Sequence, residues 1–301
     1  MRQLLTRVLP ASWLPYVLHL RLPGAPSVIA QMSVGFLLAS GFHFTIGTFS
    51  RWVLAALAWG ILGSGGTLAI NSAFDKDEGD IAFLHDPPPP PRRLGLFALV
   101  VMIAGLVIAL FISTRFAVAY LLCFVMSILY SAPPVRIKSR PGADILINAI
   151  GYGGLTVYAG WAAMDMPLGP PIFNVVAAFS CLFAAWYPLT QFYQMEEDRQ
   201  RGDRTLTLII GKRNGLIVAT VATLAGFAFL GAESVSRYWN WRSIGVAFAF
   251  LTWSAVIVHW WLHWRDADIL YERTGMYRLV AAFAVTQIGV VVAMAPGGGL
   301  M

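Results

Sequence analysis

Apolar residues along this chain come in long continuous runs and not in alternation with polar ones. A helix needs about 20 consecutive apolar residues to cross the hydrocarbon core of a membrane. The runs predict nine such helices, at about 25–45, 51–71, 94–113, 115–132, 142–163, 170–193, 213–232, 242–263 and 276–296. Because these runs are apolar throughout, they indicate helices and not the alternating strands of a membrane barrel.

The stretch before the first run has a different pattern. Arginines surround short apolar stretches, Pro10 and Pro15 interrupt them, and no small-residue cleavage site follows. We expect a retained amphipathic segment that lies on the membrane surface. The predicted fold is therefore all-α, with one membrane domain over residues 1–301, an interfacial N-terminal segment at 1–23 and a nine-helix bundle at 24–296.

Composition supports a polytopic membrane protein. Of the 301 residues, 58% are hydrophobic and 12% are charged, whereas a soluble domain has about 25% charged residues. The formal net charge of +6 does not indicate nucleic acid, because basic residues in the loops of a membrane protein chiefly set its orientation. Cys123 and Cys181 lie inside apolar runs and form neither a disulfide framework nor a zinc-type spacing.

The basic residues are distributed unequally between the two sides of the predicted membrane. Of the 21 Lys and Arg, 17 lie in the N-terminal segment and in the loops after the second, fourth, sixth and eighth spans, which leaves four on the other side. The side that is richer in Lys and Arg normally faces the cytoplasm. We therefore expect a multi-pass protein of the inner, cytoplasmic membrane, with its N-terminus in the cytoplasm.

Two acidic windows interrupt the hydrophobic pattern in the same way. Windows 71–80 and 194–203 follow the second and sixth spans and hold eight of the fifteen acidic residues. They align without a gap, since each opens with an amide side chain, has Asp four residues later and ends in another Asp. These six residues are Asn71, Asp75, Asp80, Gln194, Asp198 and Asp203. A single acidic loop is often only a solvated face, but two matching windows on the same side of the membrane indicate one shared site.

The chemistry of this site follows from its ligand types. Residues four apart on a helix lie on one face, and carboxylate and amide oxygens are ligands that suit Mg²⁺. Carboxylates alone would repel a phosphate, so a bound diphosphate also needs cations such as Lys76, Arg136 and Lys138. A diphosphate with a hydrocarbon tail fits, because its head would lie at the membrane edge and its tail among the helices.

A metal-assisted site of this kind favours departure of diphosphate. The carbon left behind becomes an allylic cation, which aromatic faces can stabilise. The candidate aromatic residues are Tyr152, Tyr158, Trp161, Trp186 and Tyr187. His259 and His263, four apart at the end of the eighth span, have the spacing of a metal pair, but no nearby Asp or Glu on that helix completes it. We therefore favour histidines at the membrane interface, among Trp260, Trp261 and Trp264.

At these residues the sequence resembles the UbiA superfamily of intramembrane prenyltransferases, over nearly its whole length. That family has nine membrane helices and two Asp-rich motifs, about N-D-x-x-D-x-x-x-D after the second helix and D-x-x-x-D after the sixth. Asn71 and Asp75 match the first motif, and Asp198 matches the last position of the second. Residues 130–138 resemble the family's loop after helix four, whose basic residues contact diphosphate.

The sequence departs from the family pattern at three positions. Ser72 stands where the family often has Asp, and Gly79 falls at the last Asp of the first motif, with Asp80 one residue late. Gln194 replaces the first Asp of the second motif. Because Asp80 and Asp203 match each other across the two windows, we expect them to compensate.

The resemblance implies Mg²⁺-dependent transfer of a prenyl group from an isoprenyl diphosphate to a lipophilic acceptor. We expect this acceptor to be aromatic and the reaction to take place among membrane lipids. Asp75, Asp198 and Lys138 are the predicted catalytic residues. Lys76, Tyr130, Arg136 and Lys138 are predicted to hold the diphosphate. Two alternatives stay open at this point, namely a terpene cyclase that ionises the same diphosphate without an acceptor, and a membrane transporter built from an internal repeat.

Overall fold

The computed structural model describes residues 6–7, 10–75, 80–200, 202–235 and 241–295. Within them the regular structure is helical, apart from one isolated bridge between Ile81 and Leu84. The long helices are α1 Ala25–Ser40, α2 Ile46–Asp75, α3 Leu94–Ile112, α4 Thr114–Ser131, α5 over 143–163, α6 Pro170–Gln191, α7 Leu206–Glu233, α8 Ile244–His263 and α9 Ile269–Met294. Shorter helical turns are Leu14–Leu18, Leu22–Gly24, Ile137–Ser139, Phe192–Gln194, Met195–Gln200 and Trp241–Ser243.

These nine helices confirm the predicted all-α membrane fold, and each corresponds to one predicted span. Within the described ranges, eight helices are long and apolar enough to cross a membrane. The remaining one, α5, is divided into Ala143–Asn148, Ala149–Leu155 and Thr156–Ala163, as α2 is divided around its own π-helical turn. Unlike the eight, α5 does not meet the length and hydropathy of a spanning helix, and it carries the buried polar side chains of Asp144 and Asn148.

Several helices begin earlier than the hydropathy runs predict. Thr45 and Thr48 form a capping box at the start of α2, and the Asp268 side chain accepts a backbone N–H group at the start of α9. In α7 the Thr205 side chain caps a short first segment, which the non-helical Gly211 (φ 75°, ψ 168°) separates from the rest of the helix. Such caps satisfy N–H groups that the first helical turn leaves without partners. Polar caps thus extend these helices beyond their apolar parts, where hydropathy carries no signal.

Two helices contain wide π-helical turns that face the interior of the bundle, at Ala56–Gly63 in α2 and Ala149–Leu155 in α5. Carbonyl groups in such turns need partners, since lipid offers none. The buried Gln31 of α1 supplies them, because its Nε2 donates to the carbonyl oxygens of Tyr152 and Gly153 at 2.7 Å each. This contact ties α1 to the broken part of α5.

Helices α1 and α5 cross at a point where their backbones touch. A Cβ atom on Gly35 would lie 1.9 Å from the Val157 carbonyl oxygen, and one on Gly160 would lie 1.8 Å from the Met32 carbonyl oxygen. Small residues at helix crossings allow this approach within membranes. Both glycines are therefore required by the packing of the bundle.

The loops after α2, α4 and α6, together with residues 14–24, form a cap over one end of the bundle. Leu18 of the first short helix packs against Ile81 and Leu84 of the loop after α2, and His19 Nε2 lies 3.0 Å from the Pro88 carbonyl oxygen. Residues 18–21 are buried, so this part of the predicted interfacial segment lies against the protein. Residues 1–5 and 8–9 of that segment lie outside the described residues.

Candidate active site

Both acidic windows line one cavity of about 270 Å³ under the cap. Asn71 and Asp75 reach it from the last turn of α2, and Gln194, Asp198 and Asp203 reach it from the chain after α6. The windows are separated by more than a hundred residues, and the fold brings their side chains to the same cavity. This arrangement is the one that the matching windows predict.

The second window folds back on itself to present its last carboxylate. After the short helix Met195–Gln200, Gly202 adopts φ 73°, and the Asp203 N–H donates to the Asp198 carbonyl oxygen at 2.9 Å. A residue with positive φ commonly ends a helix in this way, and glycine adopts it without strain. The turn places Asp198 and Asp203 on the same cavity wall.

The loop after α4 connects the two windows through charge pairs. The Lys138 ammonium contacts Asp75, while Arg136 Nη2 lies 3.1 Å from an Asp203 carboxylate oxygen and 3.6 Å from Asp75 Oδ1. The Ser139 hydroxyl donates to Asp203 at 2.5 Å. Lys138 is only 7% exposed, and a buried charge is tolerated when it is paired. The three predicted regions therefore form one network.

Arg21 is a cavity residue that the sequence analysis treated only as a basic residue of the interfacial segment. It is 5% exposed, adopts φ 49° and lines the cavity beside Asn71. Its Nη2 donates to the Ser72 hydroxyl at 2.6 Å. Ser72 is the position where the family often has Asp, so the group that Arg21 contacts at this position is a hydroxyl.

Asp80, the sixth predicted metal ligand, contacts residues outside the network of Lys138 and Arg136. Its carboxylate accepts the Asp86 N–H at 2.8 Å and Arg273 Nη1 at 2.9 Å, and it lies 3.2 Å from His85 Nδ1. The Asp86 N–H, followed by His85, holds the pKa of Asp80 below its ordinary value. Asp80 is not among the residues that line the cavity. It ties the loop after α2 to α9, and Phe83 of that loop covers the cavity.

Three of the five predicted aromatic residues, Tyr152, Trp186 and Tyr187, line the cavity. Tyr158 and Trp161 do not, and the Trp161 Nε1 instead donates to the Pro167 carbonyl oxygen at 2.9 Å. Helix α5 turns these two rings away from the cavity. The faces able to stabilise a cation are therefore supplied chiefly by α6.

Tyr130, the predicted hydrogen-bond donor to diphosphate, also lines the cavity, at the end of α4. Its hydroxyl oxygen lies 2.9 Å from that of Tyr187. This pair joins the loop after α4 to the aromatic wall. Lys76, the fourth predicted diphosphate residue, lies outside the described residues.

The deep end of the cavity is apolar and continues towards the centre of the bundle. Ser64 and Tyr152 line both the main cavity and a smaller one of about 20 Å³ beyond it. The smaller cavity ends against the buried rings of Trp59 and Tyr120, and the Tyr120 hydroxyl donates to the Met102 carbonyl oxygen at 3.0 Å. The site therefore has a charged head and an apolar end with a defined floor.

The oxygen donors of the cavity are of the kind that a magnesium ion needs. In the part of the chain that the structure describes, no three Asp, Glu, His or Cys side chains gather as a ready metal cluster. Two amides and three carboxylates nevertheless line the same cavity, and these hard oxygen donors fit Mg²⁺, which usually takes one or two protein carboxylates and completes its shell with waters and phosphate oxygens. The residues fit Mg²⁺ held jointly with a bound phosphate.

The chain is similar in sequence to known proteins. The model of the UbiA prenyltransferase family matches residues 28–287. The chain is 29% identical over 171 residues to a lycopene elongase/hydratase of Haloarcula japonica, a match that covers 53% of this chain and 55% of that protein. It is 23% identical over 224 residues to the chloroplastic chlorophyll synthase of Oryza sativa subsp. japonica, covering 68% and 58%. The matches thus span a little over half the length of each relative.

Solved structures share the fold. A UbiA homolog from Archaeoglobus fulgidus, bound to GPP and Mg²⁺, superposes with a TM-score of 0.64 at 18% identity, covering 92% of this chain and 99% of that one. An apo UbiA homolog from Aeropyrum pernix K1 gives a TM-score of 0.68 at 19% identity, covering 90% and 98%. At such identities the likeness shows a common fold.

Proposed function

The chain belongs to the UbiA prenyltransferase family, and we propose that it transfers a prenyl group from an isoprenyl diphosphate to a lipophilic, aromatic acceptor within the membrane, with the help of Mg²⁺. The observation that carries this proposal is the shared cavity. Both acidic windows and Lys138 line it at its charged end, and its other end is apolar. A molecule with a diphosphate head and a hydrocarbon tail matches both ends.

The charged end assigns separate tasks to its residues. Asn71, Asp75, Gln194, Asp198 and Asp203 would hold Mg²⁺, which when bound neutralises the negative charge of a departing diphosphate. This set keeps five of the six predicted ligands, because the Asp80 carboxylate is held by Arg273.

The cations at the same end would bind the diphosphate itself. Lys138 and Arg21 line the cavity, and Arg136 lies behind Asp75 and Asp203. When a diphosphate enters, its oxygens offer these cations partners in addition to the carboxylates. A role for Lys76 stays a prediction.

The aromatic wall would act on the carbon that loses diphosphate. A ring face stabilises positive charge within about 6 Å of its centre, and more strongly when water is excluded. Tyr152, Trp186 and Tyr187 present rings at the cavity, and Phe83 helps to cover it. We propose that these rings stabilise the allylic cation until an acceptor reacts with it.

The proposal places the cap in the cytoplasm and the protein in the inner membrane. The basic residues support this orientation, because 17 of the 21 fall in the N-terminal segment and in the loops that the sequence predicts on the cytoplasmic side. A water-soluble diphosphate head would then enter from the cytoplasm. The Archaeoglobus homolog solved with GPP and Mg²⁺ supports the substrate class and the metal.

The test is release of diphosphate by the purified protein from geranyl diphosphate, with and without Mg²⁺. We expect release only with Mg²⁺, and its loss in Asp75→Asn and Asp198→Asn, one variant from each window. Glu196→Gln is the matched control, because Glu196 lies in the second window but is 64% exposed and pairs with Arg199 on the surface. Unchanged release in both Asp variants would contradict the proposed site.

The same assay separates transfer from cyclisation. A prenyltransferase releases a prenylated acceptor, whereas a terpene cyclase forms a hydrocarbon or terpene alcohol when no acceptor is present. Extraction and mass spectrometry of the products without any added acceptor would identify the second activity. The family assignment makes the chain an enzyme, so the transporter alternative is set aside.

A further inference from the structure

A buried carboxylate of α5 joins the two loops that carry much of the proposed site. Asp144 is 0% exposed and is not among the described residues that line the cavity. Its Oδ1 accepts the Gly142 N–H at 2.8 Å, and its Oδ2 accepts the Leu206 N–H at 2.9 Å. Gly142 belongs to the loop after α4, and Leu206 is the first residue of α7. Each carboxylate oxygen therefore holds a backbone group from a different loop.

Each of these loops presents a charged group of the site close to its bond with Asp144. Lys138 lies in the short helical turn of the loop after α4, and the Arg140 carbonyl oxygen just after that turn accepts the Asp144 N–H at 3.1 Å. In the other loop, Asp203 precedes Leu206 by three residues. Both Lys138 and Asp203 line the cavity. The bonds of Asp144 thus link the backbone that carries a predicted diphosphate cation to the backbone that carries a predicted metal ligand.

Side chains of the site also connect the two loops, but these side chains have a second task. Arg136 Nη2 lies 3.1 Å from an Asp203 carboxylate oxygen, and the Ser139 hydroxyl donates to the same carboxylate at 2.5 Å. Under the proposed function, Asp203 would share its oxygens with Mg²⁺ and Arg136 would bind the diphosphate. The carboxylate of Asp144 instead pairs with backbone N–H groups and lies outside the cavity. Its bonds can therefore hold the loops together while the cavity side chains exchange partners.

We propose that Asp144 is a positioning residue, which keeps the loop after α4 and the second acidic window at a fixed separation so that Lys138 and Asp203 face the cavity together. This inference rests on the proposed function. When the arrangement that binds a ligand is populated only part of the time, the apparent affinity falls in proportion to that population. Asp144 raises the population of this arrangement before substrate arrives.

Two variants break the bond between Asp144 and Leu206 from opposite ends. Asp144→Asn keeps the size of the side chain but turns an NH₂ group towards one of the two N–H groups, because an amide has a single acceptor oxygen. Leu206→Pro removes the N–H itself, at the first position of a helix, where proline fits because that N–H has no partner within the helix. Ile269→Pro is the matched control, because Ile269 is the first residue of α9 and is 59% exposed.

The first measurement is hydrogen exchange of the purified full chain without ligand, followed by mass spectrometry. We expect Asp144→Asn and Leu206→Pro to speed exchange in the loop after α4 and around Asp203, and Ile269→Pro to leave both regions at the wild-type rate. With Mg²⁺ and geranyl diphosphate, both variants should raise the KM for diphosphate release by roughly tenfold or more, the effect of one hydrogen bond to a buried charge, with a smaller change in kcat. The double variant should raise KM no further than the more impaired single variant, because both changes break one bond.

The outcomes separate positioning from a purely structural role. Unchanged exchange in both loops of the two variants would overturn the assignment. Faster exchange with an unchanged KM would also overturn it, because Asp144 would then serve stability alone. Effects on KM that multiply in the double variant would show two separate causes in place of one shared bond, and would overturn it as well. If the wild type released no diphosphate while exchange responded as expected, the proposed function would be refuted and the link between the loops would stand.

Discussion

A single methyl group at the crossing of α1 and α5 should destabilise the bundle. The Cβ of Gly35→Ala would lie 1.9 Å from the Val157 carbonyl oxygen, whereas real Cβ atoms essentially never approach closer than 3.0 Å. The difference requires a separation of at least about 1.1 Å at this point. The obstacle is a backbone atom, so no side-chain rotation relieves it. On the other helix, a Cβ added to Gly160 would lie 1.8 Å from the Met32 carbonyl oxygen, so Gly160→Ala would require a similar separation.

The displacement would reach the active site through Gln31. This side chain on α1 holds the carbonyl oxygens of Tyr152 and Gly153 at 2.7 Å, so a shift of about 1 Å breaks both bonds. Overpacking costs about 1–3 kcal/mol, and each lost hydrogen bond costs about 1 kcal/mol. The helix propensity of Ala returns about 1 kcal/mol. We expect a net loss of about 2–4 kcal/mol.

The assay is reversible unfolding in detergent by a denaturant, followed by circular dichroism. Gly231→Ala in α7 is the matched control, because a Cβ there meets nothing within 4 Å and the same change should be neutral or stabilising by up to about 1 kcal/mol. The variants share their chemistry and differ only in the space at the glycine. Equal stability of Gly35→Ala and Gly231→Ala would refute the close helix crossing.

Three further outcomes follow from the site. Lys138→Met leaves the buried Asp75 without its closest cation. Calorimetry with Mg²⁺ present should therefore show that the variant binds inorganic diphosphate with an affinity reduced by about tenfold or more. An unchanged Kd for diphosphate would contradict this. Because its pKa is lowered, Asp80 keeps its charge and its contact with Arg273 from neutral to mildly acidic pH, and loses them only as the pH falls through that lowered pKa. Removing this charge in Asp80→Asn should therefore speed hydrogen exchange of the backbone amides in its loop. Equal exchange in the variant and the wild type would count against the contact. Tyr120→Ala removes the floor of the deep cavity and should shift product formation towards longer prenyl diphosphates, whereas an unaltered chain-length profile would place the tail elsewhere.

Hydropathy predicts the helices of this fold well because crossing a membrane is a requirement on local composition. The path of α5 is different. Nothing in its apolar run predicts the π-helical turn Ala149–Leu155, because that turn depends on Gln31 of another helix to accommodate its carbonyl groups. Helix starts at polar caps such as Asp268 escape prediction because they lie beyond the apolar part.

The candidate site was predictable where a local pattern encodes it. The repeated amide and Asp spacing places Asn71 and Asp198 on one wall, since both windows follow helices that end on the same side. Arg21 was missed because its burial depends on a left-handed turn and on Ser72, 51 residues away. The Arg273 partner of Asp80 is 193 residues away, a contact that no short-range signal marks.

The central claim is that the two acidic windows form one metal and diphosphate site. Electron paramagnetic resonance of Mn²⁺, which accepts the same oxygen ligands as Mg²⁺, tests it directly in the presence of geranyl diphosphate. We expect Mn²⁺ binding by the wild type and by Glu196→Gln, and its loss in Asp75→Asn and in Asp198→Asn alike. Retention of wild-type Mn²⁺ binding by either Asp variant would show that one window holds the metal without the other, and would refute a shared site.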